Sequence, residues 1–237
     1  MRKSLGTALR RAFGQDDLFK GARRRPGGDS SLLMSPRRMG IFSHLTFRPC
    51  STQRAVAIAI GVGAPSAAHH LRLLEGANYL SSHRGGKALV YFPLDMILAE
   101  DVAVFSLLAE DKARAALSFV FNRPGARQGA VRGALGTSQQ ECALTMHRLE
   151  NAGLVTVERG PRITSYGPTE LLQAKARAYA GRAQELGERM MALLERDGVM
   201  PALKSRKGSI LIVEVDQGSE RARARLNTDP LSSLSAP

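Results

Sequence analysis

The chain has 237 residues, 43% of them hydrophobic and 23% charged, which suits one large domain or two small ones and excludes whole-chain disorder. Thirty-four Lys and Arg against 21 Asp and Glu leave a formal charge of +13 and a pI near 10.6, the balance of a protein that meets a polyanion, either nucleic acid or an acidic membrane surface. Two cysteines, no Trp and 5% aromatics exclude a disulfide framework, a carbohydrate cleft and an aromatic base-stacking platform.

Residues 1–30 carry eight Lys/Arg against three Asp and too little apolar content for a core, so they read as a disordered basic arm. The start, Met1 to Gly6, lacks the apolar stretch of a signal peptide. The longest apolar runs, Ala55–Gly63 and Ile210–Val215, fall well short of the ~20 residues that span a membrane. The expectation is a cytoplasmic chain with no membrane partner. Residues 31–95 hold seven basic residues against two acidic, 96–168 eight against seven, and 169–237 eleven against nine. Ten of the thirteen surplus charges therefore precede residue 96.

A shift of 75 positions aligns two segments without a gap. Ser43 falls on Ser118, Arg48-Pro49 on Arg123-Pro124, Gln53 on Gln128 and Gly61 on Gly136. Leu74-Glu75 falls on Leu149-Glu150, Arg84-Gly85 on Arg159-Gly160, Tyr91 on Tyr166 and Pro93 on Pro168. One register held over ~50 residues marks an internal repeat.

Each copy opens with a helix, Pro36–Phe47 or Asp111–Asn122, ended by Arg-Pro, because proline disfavours a helical predecessor. A short helix follows, Thr52–Ile60 or Arg127–Leu135, closed by Gly61 or Gly136, since glycine accepts the positive φ of a tight turn. A third helix runs over Ala64–Gly76 or Gln139–Asn151. In the second copy Ser138 and Glu141 spell a capping box. Last come two strands about a Gly turn: Tyr79–His83 and Lys87–Phe92, then Leu154–Glu158 and Arg162–Tyr166. The fold class expected is mostly α with small β-hairpin wings (α+β): two tandem winged-helix domains, 31–95 and 96–168, plus a C-terminal helix.

The phrase from Gly61 through Ala77, with His69-His70-Leu71-Arg72-Leu73-Leu74-Glu75 inside it, resembles the helix-turn-helix of ArsR/MarR-type transcription regulators, and so does Gly136 through Val155. The Leu149-Glu150-Asn151-Ala152-Gly153-Leu154-Val155 ending carries the likeness most clearly. The repetition, over about residues 36–170, resembles tandem winged-helix regulators common in archaea. The resemblance implies that the third helix enters the major groove of double-stranded DNA while the wing meets backbone or minor groove. The candidates in copy one are then Ser66, His69, His70 and Arg72 on the helix and His83, Arg84 and Lys87 on the wing. Those in copy two are Gln139, Gln140, His147 and Arg148 on the helix, with Arg159 and Arg162 on the wing. There Glu141, Glu150 and Glu158 dilute the positive field, so copy one is expected to dominate affinity.

Neither a phosphate loop of the Gly-x-x-x-x-Gly-Lys-Ser/Thr kind, a Gly-x-Ser-x-Gly elbow nor a His-Glu-x-x-His pair occurs, and no enzyme, cofactor or catalytic residue is expected. Adjacent His69 and His70 diverge by ~100° on a helix, which argues against one shared metal ion. From Thr169 to Asp197, Leu172, Ala176, Tyr179, Ala183, Leu186, Met190 and Leu193 recur at spacings of four and three, a heptad stripe read as a homodimer contact, with packing on its own domain as the alternative. Within 169–217 a strand is expected at Ser209–Val215, added to a sheet edge, and the Ser/Arg/Pro-rich tail 218–237 is expected to be disordered. The function read is sequence-specific binding of double-stranded DNA by a transcription regulator, with the transcription machinery as a further partner. The alternatives are an RNA- or ribosome-associated winged helix and a protein-interaction scaffold.

Overall fold

The computed structural model describes residues 32–85, 88–161, 163–196, 200–217 and 220–234. The expected basic arm, 1–30, lies outside them, as do Lys87 and Arg162. The chain divides into two compact units, the first ending at Leu98 and completed by Gln184–Thr228, the second Ala99–Ala183 completed by Asp229–Pro237. Both are α+β and carry the winged-helix order of elements.

In unit 1, α1 (Pro36–Phe47) starts with proline in its first turn, where a missing N–H costs nothing, and ends at Arg48 before Pro49. Strand β1 (Ser51–Thr52) leads into α2 (Gln53–Ile60), whose N-cap Thr52 accepts a hydrogen bond from the Ala55 N–H at 3.2 Å. Gly61, at φ +72°, turns the chain into α3 (Ala64–Gly76). Strands β2 (Leu80–Gly85) and β3 (Ala88–Pro93) form the wing, in register from Leu80↔Pro93 to Gly85↔Ala88, and β1 adds to the other edge of β3. Ile41, Leu45, Val56, Leu71 and Leu74 are fully buried, and Phe42 meets Tyr79 edge-to-face at 5.8 Å.

Unit 2 repeats this order after a short helix α4 (Val102–Leu108): α5 (Asp111–Asn122), β4 (Ala126–Arg127), α6 (Gln128–Leu135), α7 (Gln139–Asn151), β5 (Val155–Arg159) and β6 (Thr164–Pro168). The repeat extends to backbone angles. Cys50 and Asn78 sit at φ 60° and 59° where Gly125 and Gly153, 75 residues on, sit at 80° and 70°. Of the capping box expected at α7, Ser138 accepts from the Glu141 N–H at 3.2 Å, but the Glu141 carboxylate is turned to Lys112 instead.

The long helix α8 (Glu170–Arg196) spans the boundary between the units. Its stripe is covered by its own chain. Leu172, Tyr179, Ala183, Leu186 and Met190 are buried and Ala176 partly so, while Leu193 gives way to Leu194 as the buried residue. Spacing that drifts forward in this way follows the 3.6-residue period of a straight packed helix rather than the 3.5 of a supercoil. The stripe is thereby accounted for without a second copy. Within unit 2 the buried Asp101 of the turn before α4 is held by Lys175 and by the Tyr179 hydroxyl at 2.8 Å. Within unit 1 the Tyr79 hydroxyl donates to the Leu193 carbonyl at 3.2 Å. Gly187 allows close approach there, a Cβ at that position standing 3.3 Å from Leu211.

Two expectations for the C-terminal part are corrected. Strand β8 (Ile210–Gln217) is the centre of an antiparallel sheet, flanked by β7 (Met200–Lys207) and β9 (Glu220–Asn227), not an added edge. Residues 220–234 are ordered. Ala222, Ala224 and Leu226 alternate with Arg221, Arg223 and Arg225, the period-two pattern of a strand with one face buried, which the Ser/Arg/Pro composition masks. In unit 1, Ser43 on α1 donates to the Arg225 carbonyl at 2.6 Å, and Thr46 accepts from the Asn227 N–H at 3.0 Å. In unit 2 the repeat-equivalent Ser118 on α5 donates to the Leu234 carbonyl at 3.4 Å. Each first helix thus uses the same serine to hold a stretch of the C-terminal chain.

His44 on α1 makes unit 1 acid-sensitive. Its Nε2 is sealed from solvent, and burial, reinforced by Arg48, lowers its pKa from 6.5 to about 4. The neutral ring is native, so protons bind the unfolded chain more readily between those values. Stability is complete above pH 6.5, declines as pH falls, and levels off near pH 4, with a total loss on the order of 3 kcal/mol. Hydrogen exchange of α1 amides at pH 7.5 and 4.5 should show about 2–3 kcal/mol more acid loss in the wild type than in His44→Gln. Equal losses would refute the assignment.

Candidate nucleic-acid interface

The surface that follows from the fold is built on α2, α3 and the wing of unit 1. Gln53 Nε2, at the start of α2, donates to the Ala64 carbonyl at 3.0 Å and ties the two helices across the Gly61 turn. Ala67, Leu71 and Leu74 fix the inner side of α3 in the core. That leaves His69 and Arg72 exposed and Ser66 and His70 half-buried. Arg72 Nε lies 3.3 Å from the Ala68 carbonyl of its own helix, which holds the guanidinium along the outer face. On the wing His83 and Arg84 are exposed. Between residues 36 and 93 the sequence contains a single acidic residue, Glu75, and its carboxylate accepts a hydrogen bond from Ser82. Among the described residues His69, Arg72, His83 and Arg84 have no carboxylate partner. Arg54, exposed on α2, adds a cation outside the third helix and the wing, where the resemblance puts the contacts.

His70 differs from its neighbours. Its Nδ1 is buried without a hydrogen-bond partner among the described residues. Burial, then Arg38, His69 and Arg37, holds its pKa below the ordinary 6.5. The His69 and His70 rings stand 5.5 Å apart. Among the described residues no cluster of three or more His, Cys, Asp or Glu is arranged to hold a metal ion. Cys50 and Cys142 are both buried, and burial raises the Cys142 thiol.

The matching surface of unit 2 carries a different charge pattern. Ser66, His69, Arg72 and His83 are replaced 75 residues on by Glu141, Leu144, His147 and Glu158. Gln139, Gln140, His147 and Arg148 are exposed on α7, as is Leu144 at 61%. Arg148 and Arg159 there are already engaged, while Arg127 on β4 and Arg132 on α6 are exposed and have no carboxylate partner among the described residues. Arg148 makes a two-pronged pair with Glu110 at 2.7 and 2.5 Å, which raises its pKa. Arg159 on the wing grips Glu150 at 2.9 and 2.8 Å, and His147 Nδ1 lies 3.6 Å from the same carboxylate. Exposed pairs of this kind are each worth only about 0–1 kcal/mol, so a phosphate could displace them. The carboxylates would remain beside it.

Among the described residues no helix is long and apolar enough to cross a membrane. No family model matches the chain. An uncharacterized HTH-type transcriptional regulator of Methanocaldococcus jannaschii, MJ1398, is 24% identical over 139 residues, which are 58% of this chain and 35% of that protein. The chain thus spans about a third of that relative's length. Among solved structures, the DIP2311 protein from Corynebacterium diphtheriae aligns at 20% identity and a TM-score of 0.24, over 56% of this chain and 26% of its own. ScpB from Mycobacterium tuberculosis aligns at 16% identity and a TM-score of 0.25, over 60% of this chain and 95% of its own.

Proposed function

We propose that the protein is a transcription regulator that binds double-stranded DNA through unit 1, with α3 in the major groove and the wing on the adjacent backbone. The observation that carries this reading is the contrast between the units. On α3 and the wing of unit 1, Arg72 and Arg84 have no carboxylate partner among the described residues, whereas Arg148 and Arg159 on α7 and the wing of unit 2 are paired. A surface kept positive by leaving out acids favours a phosphate backbone, and Arg72 and His69 supply groups able to read base edges. The likeness to a protein named as an HTH-type transcriptional regulator favours duplex DNA over RNA and over a scaffold without nucleic acid. Unit 2 then contributes support rather than readout. A homodimer on a palindromic site would use a surface other than the buried stripe of α8.

The test is retention of a random-sequence duplex pool at two salt concentrations, followed by sequencing. Enrichment of one discrete motif that survives the higher salt is the expected result. Salt-sensitive retention without enrichment would argue for sequence-independent binding, and no retention would reject the reading.

A further inference from the structure

We propose that Arg37 on α1 and His70 on α3 form a second phosphate-holding site on unit 1, which takes a backbone phosphodiester of the bound duplex. The inference rests on the reading of unit 1 as the DNA-holding surface. It places a contact where neither the helix face nor the wing reaches. At ~100° per residue, Glu75 lies ~80° to one side of the buried line through Ala67, and His70 ~60° to the other. Glu75 is bonded to Ser82 of the wing strand β2, so His70 is on the flank of α3 away from the wing. A helix held on both flanks is fixed in rotation as well as position, which readout of base edges requires.

The repeat supplies an internal comparison. In unit 2, Lys112 stands where Arg37 stands and Glu141 where Ser66 stands, and the two are ion-paired. Unit 1 keeps the cation, replaces the carboxylate with serine, and puts His70 where unit 2 has Thr145, whose hydroxyl is satisfied by the Glu141 carbonyl at 2.8 Å. Arg37 is exposed and has no ion pair among the described residues, and the His70 Nδ1 has no partner. An anion is what this arrangement lacks. A phosphodiester offers two acceptor oxygens, one for the Arg37 guanidinium and one for a His70 Nδ1–H that a turn of the half-buried ring brings to the surface.

Occupancy should also move a proton. The charged groups acting on His70 are Arg38 and Arg37 from α1 and His69 from its own helix, all of which oppose its protonation. A phosphodiester reverses that field, so His70 takes a proton from solvent as duplex binds. By linkage, affinity rises as pH falls toward 6.

The experiment uses the full chain and short duplex DNA, with dissociation constants measured against salt and at pH 7.5 and 6.0. Arg37→Gln should weaken binding by about three- to tenfold and reduce the salt slope by about one. The wild type should gain at least about threefold in affinity at the lower pH, and His70→Gln should lose that gain. Lys112→Gln, the unit 2 counterpart, should leave affinity and slope unchanged. If Arg37→Gln and His70→Gln both behave as wild type while Arg84→Ala weakens binding, this site is overturned and the reading of unit 1 stands. If the wild type binds no duplex, both fall. Inorganic phosphate that shifts the His70 ring resonances as far as duplex does would mark a free-anion site and overturn the phosphodiester assignment.

Discussion

Duplex affinity should fall by on the order of 10²–10³ at ~0.15 M salt when unit 1 receives the carboxylates of unit 2, in a Ser66→Glu/His83→Glu double variant. The substitutions copy Glu141 and Glu158, which the repeat already tolerates at the same places in the same fold. Each introduces a negative charge within several ångströms of an approaching phosphate. At an effective dielectric between those of water and a protein surface, that costs about 1–2 kcal/mol apiece, or roughly tenfold each. A glutamate at 66 would also engage Arg37 as Glu141 engages Lys112, removing one cation from the field. The reciprocal pair in unit 2, Glu141→Ser/Glu158→His, should change affinity by less than about threefold. Fluorescence anisotropy with labelled duplex checks both. A double variant within threefold of wild type would sink the assignment of unit 1, and a reciprocal variant with the larger effect would transfer it to unit 2.

Much of the fold was legible because its signals are local. Arg48-Pro49 and Gly61 end helices through backbone sterics alone, and the offset of 75 let each copy check the other, so α1, α3, α5 and α7 begin and end where the pattern puts them. The two-residue strands β1 and β4 were not legible, because no side-chain alternation can show in Ser51–Thr52 or Ala126–Arg127. In the tail the Ser/Arg/Pro composition hides a short period-two run, Arg221 to Leu226, that forms a strand. For the candidate interface, residue types were readable and their freedom was not. Arg84 and Arg159 are equivalent in sequence, yet Arg159 is spent on Glu150 across the gap from wing to helix. Lys112 meets Glu141 over 29 residues of sequence, and Arg37 acquires meaning only once that pair is seen. Such neutralisation depends on tertiary proximity, which charge counting by segment averages away.

Truncation after Thr228 should destabilise unit 2 by about 3–5 kcal/mol. The segment it removes is part of that unit's core. Leu231 and Leu234 are 3% and 1% exposed, and burying each is worth about 1.5–3 kcal/mol before the entropy of ordering the segment is subtracted. The buried Arg114 of α5 gives its Nε–H to the Leu108 carbonyl at 2.9 Å, while its Nη1 reaches Ser233 Oγ at 2.8 Å and the Pro230 carbonyl at 3.4 Å. Without the tail a buried guanidinium loses those acceptors, an additional cost of about 1–3 kcal/mol that water entering the vacated groove would partly offset. Asn122, which donates to the Leu234 carbonyl at 2.5 Å, would return to solvent at little cost. Leu234→Ala alone should cost about 2–3 kcal/mol. Hydrogen exchange of α5 amides, compared with those of α1 in the same sample, separates the two units. Loss of protection confined to α5 is the expected result. Unchanged protection in the truncated chain would show that the segment rests on the surface of unit 2 without stabilising it.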